Sequence, residues 1–79
     1  MKSSDCYVEI AIFFKDSTRD YISPIVDTDE DISISEGYIH IHNDCYTYSY
    51  DINSIVSIIA NRILNYEIIE SEILYRFDE

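Results

Sequence analysis

The stretch His40-Ile41-His42-Asn43-Asp44-Cys45 holds the residue types best suited to a metal ion. In an extended chain, side chains two apart share a face, so His40 and His42 would point the same way. Asp44 or Cys45 could then supply a third ligand. These are the chain's only two histidines, so a three-histidine site is excluded. The plainer expectation is that both line an outer sheet face beside Tyr38. Nucleophilic catalysis has less support still. There is no Gly-x-Ser-x-Gly elbow, and a single glycine gives the backbone little means of approaching a phosphate closely. Carboxylate pairs abound, but at this acid content pairing is inevitable and carries no information. We therefore expect no catalysis, no metal and no cofactor.

Charge is more informative. Sixteen Asp and Glu stand against five Lys and Arg, a net charge of −11 on 79 residues. Phosphates must be neutralised by basic side chains, so direct nucleic-acid binding is not expected. An anionic membrane surface would also repel this chain. A basic protein surface is its natural complement. Eleven of the acids fall into three groups: Asp27, Asp29, Glu30 and Asp31; then Glu36 and Asp44 at turns; then Glu67, Glu70, Glu72, Asp78 and Glu79. If residues 27–31 were extended, Asp27, Asp29 and Asp31 would form a row about 6.6 Å apart, close to the phosphate spacing of one nucleic-acid strand. Few cations are interleaved to neutralise these groups, whereas a surface needing only solubility mixes signs.

The tyrosines are the second feature. Tyr46, Tyr48 and Tyr50 alternate and so share a face. Turned inward they are core; turned outward they form an aromatic stripe of the kind favoured at interfaces. Tyr38 is expected to be exposed.

These residues need elements to hold them. The length suits one domain over 1–79, and 47% apolar residues argue against disorder. Sixteen Ile and eight Tyr favour a pleated sheet. Tyr7 to Phe14 alternates with apolar residues on both faces, which predicts a central strand. Tyr21 to Val26 reads as an edge strand or loop, because Pro24 lacks a ladder donor. Ile32–Ser35, Tyr38–His42 and Cys45–Tyr50 alternate around Glu36-Gly37 and Asn43-Asp44, a three-stranded meander. From Asp51, an apt N-cap, the apolar spacing Ile52, Ile55, Val56, Ile59, Ile63 predicts a helix ending near Asn65. Tyr66, Ile69, Ile73 and Phe77 fit a second helix, though Ile73, Tyr75 and Phe77 also alternate as a strand would. The glutamates there favour the helix. The expected class is α+β: an antiparallel sheet of three to four strands with one or two C-terminal helices on one face. Cys6 and Cys45 are too few for a disulfide framework and read as reduced, small apolar residues. With no hydrophobic run for a signal peptide or membrane span, a cytoplasmic location is expected.

In size, charge and layout, and in the segments Asp27-Thr28-Asp29-Glu30-Asp31 and Tyr46-Thr47-Tyr48-Ser49-Tyr50-Asp51, the chain resembles small phage-encoded inhibitors, notably anti-CRISPR proteins that imitate nucleic acid. The resemblance spans the chain in style and includes no diagnostic motif. It implies occupation of a basic groove on a nucleic-acid-binding protein such as a CRISPR effector or nuclease. On this reading Asp27, Asp29, Glu30, Asp31, Glu36 and Asp44 provide the electrostatics, and Tyr38 and Tyr48 the anchors. An immunity protein or antitoxin against a basic nuclease or toxin is the alternative within the same class. A structural or regulatory phage subunit with incidental acidity is a third reading. A homodimer is compatible with all of them.

Overall fold

A computed structural model describes residues 6–25 and 28–77. Seven strands run through them: β1 (Cys6–Phe14), β2 (Arg19–Ile25), β3 (Ile32–Ser35), β4 (Tyr38–His42), β5 (Thr47–Asp51), β6 (Ile55–Leu64) and β7 (Glu67–Arg76). They form two antiparallel sheets, a large one ordered β2-β1-β6-β7 and a small one ordered β3-β4-β5. Ile10, Ile12 and Ile58 of the large sheet belong to the same buried cluster as Ile32, Ile39 and Ile41 of the small one. The two sheets thus enclose a single core, built almost wholly from isoleucine, whose branched side chain packs well on a pleated surface.

The α+β class is corrected here: the protein is nearly all strand, and no helix covers a sheet among the described residues. Asp51 does act as a cap, accepting a hydrogen bond from the Asn53 N–H at 2.9 Å, but it caps only a single 3-10 turn, Ile52–Ser54. The expected helix over 52–65 is strand β6, and the expected second helix is strand β7. Three register shifts explain the false helical period. Opposite Phe13 and Phe14 of β1, strand β6 carries an extra residue at Val56; opposite β6, strand β7 carries extra residues at Ile69 and Leu74. Each bulge flips the alternation of the side chains beyond it. In β6 the bulge at Val56 therefore puts buried Ile55 and Ile58 three apart on the core face, as on a helix, while buried Asn61 and Ile63 lie on the opposite face. Asn65-Tyr66, at the expected end of the first helix, is the hairpin turn between β6 and β7, with φ of 53° and 71°.

Elsewhere the alternation decides the structure. β1 lies between β2 and β6, with apolar residues on both faces. β2 is an edge strand; opposite it, the β1 register shifts beside the cis Ser23-Pro24 bond. The 32–51 segment is a meander, with Ile39 opposite Ile34 on one side and Tyr50 on the other. Among the described residues, no helix is long and apolar enough to cross a membrane.

Candidate interaction surface

Pairing in the small sheet sorts its side chains cleanly. Ile32, Ile39, Ile41, Tyr48 and Tyr50 face the large sheet, while Ser35, Tyr38, His40, His42 and Ser49 form the outer face. His40 and His42 do share that face, but each is engaged. Ser35 Oγ lies 3.2 Å from His40 Nε2, and Ser49 Oγ lies 2.8 Å from its Nδ1. A neutral imidazole donates through one nitrogen and accepts through the other, so this ring bridges β3 and β5 with both nitrogens occupied. His42 Nε2 approaches Asp31 Oδ1 at 3.2 Å. Among the described residues, no three His, Cys, Asp or Glu side chains gather to hold a metal. Both cysteines are free and exposed rather than packed, Cys6 opening β1 and Cys45 in the β4–β5 turn.

The residues expected to bind a partner are dispersed. Asp27 lies outside the described residues, as do Asp78 and Glu79. Asp29, Glu30 and Asp31 fall within a single helical turn, Thr28–Asp31, so the expected extended backbone is corrected over 29–31. A helical residue advances about 1.5 Å where a strand residue advances about 3.3 Å, so the backbone from Asp29 to Asp31 is shorter than the extended row requires. Glu30 is exposed; Asp31 is partly covered beside His42. Asp44 lies at this same end of β4, in a turn organised by Asn43, whose Oδ1 accepts from the N–H groups of Cys45 (2.9 Å) and Tyr46 (3.0 Å). Glu36 and exposed Tyr38 lie at the opposite end of β4, in and after the Glu36-Gly37 turn. Tyr48 is not a free anchor. It sits opposite Ile41 and packs against the core, as does Tyr50, and only Tyr46 of that row stands out into solvent.

Tyr50 links the sheets. Its ring tilts against Phe14 at 5.6 Å between centroids, and its hydroxyl donates to Asp20 Oδ2 at 3.3 Å. Burial, then the negative charge and hydrogen bond of Asp20, push the phenol up from 10.0 to about 12. Between those values the folded state holds a proton that the unfolded state has lost. The stabilisation is therefore complete below pH 10 and falls away as pH rises through about 12. An absorbance titration at about 295 nm should show a late tyrosinate near pH 12 that disappears in Tyr50→Phe. Its persistence in that variant would refute the assignment. Beside this contact, Phe14, Lys15, Asp16, Thr18, Asp20 and Ser54 line an open cleft of about 470 Å³. Asp16 is tied up there: hydrogen bonds from the Thr18 side chain and backbone hold its carboxyl below the ordinary value.

The most exposed apolar surface is one that the helical expectation conceals. In β7 every residue from Glu67 to Ile73 is exposed. Ile68, Ile69 and Ile73 are each more than half exposed, and Tyr66 at the hairpin tip is 84% exposed with a positive φ. A helix would have turned Tyr66, Ile69 and Ile73 towards a sheet. Glu67, Glu70 and Glu72 are interspersed with these isoleucines, and Glu70 accepts from Arg62 Nε at 3.3 Å. Compared with protein-family models, with curated proteins and with solved structures, the chain matches none of them.

Proposed function

We infer that this chain is a small acidic binding protein that inhibits a nucleic-acid-binding protein by occupying its basic groove. The observation that carries this reading is where the charge resides. No described carboxylate is buried, and five Lys and Arg cannot neutralise sixteen Asp and Glu, which leaves the net −11. Such a field repels itself and costs folding free energy, so an internal structural use would be expected to pair it. Directed outward, it raises the encounter rate with a cationic surface and disfavours neutral or acidic partners. The isoleucines and tyrosines left in solvent on β7 and at Tyr38 add the desolvated contact that charge alone does not supply.

The test is capture of a partner by the immobilised chain, followed by competition. The retained protein should be one that binds nucleic acid, and an excess of its own DNA or RNA should release it. Raising salt from about 0.1 to about 0.5 M should slow association by roughly ten- to a thousandfold, because steering charges are screened. A partner that stays bound under excess oligonucleotide, with salt-insensitive association, would refute the groove-occupying mechanism.

A further inference from the structure

We propose that the outer edge of β7 is a docking site for an extended segment of a partner protein that alternates basic with apolar side chains. The inference rests on the acidic-binder reading and names the surface and partner chemistry that would serve it. β7 is ten residues long and ends the large sheet, and no strand pairs with its outer side among the described residues. Such an edge offers a row of backbone donors and acceptors to an incoming strand.

Register specifies what that strand should carry. On one face of the sheet, Ile73 continues the cross-strand row Tyr21, Ala11, Ile59, and Ile68 continues the row Tyr7, Ile63. An added strand with apolar side chains on that face would extend both rows and cover isoleucines now more than half exposed. On the other face, Glu70 lies opposite Arg62, Glu72 opposite Ala60 and Glu67 opposite Leu64. Side chains added there would lie beside these carboxylates, and Lys or Arg is the complement. Charge also decides against a second copy as occupant. Pairing β7 with itself would set three glutamates against three and bring together two chains of net charge −11, and like charges on paired strands destabilise. The glutamates thus guard the edge against its own kind while leaving it open to a cationic strand.

The experiment uses a peptide of about ten residues alternating lysine and valine, matched to the length of β7. It is titrated into the full chain at low salt, with amide hydrogen exchange read along β7. The peptide should bind and protect β7 amides. Its analogue with alternate backbone nitrogens methylated should bind about tenfold more weakly or worse, because main-chain ladder bonds supply the affinity in strand addition. The triple variant Glu67→Lys/Glu70→Lys/Glu72→Lys should lose the lysine peptide to a similar extent and gain one alternating glutamate and valine. If the methylated and parent peptides bind equally and β7 amides stay unprotected, strand docking is wrong while the acidic-binder reading stands. If neither this peptide nor oligolysine binds at low salt, the acidic-binder reading fails as well. Concentration-dependent protection of β7 without any peptide would make a second copy the occupant and overturn the proposal.

Discussion

Truncating Ile39 to alanine should lower stability by about 2–5 kcal/mol, the usual range for emptying a filled core site. Ile39 is fully buried at the centre of the small sheet, between Ile34 and Tyr50 on its neighbours. It belongs to the cluster that holds the two sheets together. A 79-residue chain has little reserve; at roughly 0.05–0.15 kcal/mol per residue its total stability is about 4–12 kcal/mol. In a urea melt the midpoint should fall steeply with the slope unchanged. Ile73→Ala, on the exposed stretch of β7, should shift the midpoint by no more than about 0.5 kcal/mol equivalent. Equal losses at the two positions would mean that the isoleucine core is wrongly drawn.

The Glu36-Gly37 turn should respond in opposite directions to two substitutions. Both residues hold positive φ, 52° at Glu36 and 84° at Gly37. A β-carbon added at Gly37 would meet nothing within 4 Å, so the cost of Gly37→Val is conformational rather than steric crowding by neighbours. It should amount to about 1–2 kcal/mol at least, and more than for alanine because the branched side chain tolerates this region poorly. The carbonyl of Gly37 also accepts from the Ile52 N–H at 3.0 Å, so a distorted turn would loosen the end of β5 as well. Glu36→Gly should instead stabilise, by up to about 1 kcal/mol, since it removes a side chain from the left-handed region. Thermal melts of the two variants moving in the same direction would contradict the turn geometry.

The parts of the fold legible in the sequence are those where local alternation and turn chemistry agree. Ile32-Ser33-Ile34-Ser35 and Tyr38 to His42 alternate without interruption around the one glycine, and a meander is their direct result. Pro24 narrows residues 21–26 to an edge strand or a loop, and β2 is the edge strand. The C-terminal third misleads because β6 and β7 break their own alternation. Val56, Ile69 and Leu74 are extra residues in the ladder, and each bulge imitates a helical step. Ile52, Ile55, Val56, Ile58, Ile59 and Ile63 are all β-branched and carry the opposing signal, one of composition rather than period. The glutamates of β7 suit a helix by propensity, although on an exposed edge they serve to discourage pairing with another copy of the chain. The candidate site is less legible than the fold. Exposure of Tyr38 and Glu36 can be argued from the hairpin, but the grouping of acids in space depends on the sheet order. Tyr66, Ile68, Ile69 and Ile73 emerge as surface only once β7 is known to be an edge.

Pairing of β1 with β6 has a consequence for how the chain is made. Cys6 lies opposite Leu64, so the central seam of the large sheet joins segments far apart in the sequence. Hairpins such as β3–β4 and β6–β7 close on a timescale of roughly microseconds, whereas a β fold with long-range pairing completes in roughly milliseconds to seconds. During translation β1 emerges before β6 and must wait, one flank unfilled, until the intervening strands have left the ribosome. Self-repulsion among its carboxylates keeps growing chains apart over that interval, so the same excess charge that burdens the finished protein protects the unfinished one from its neighbours on the polysome.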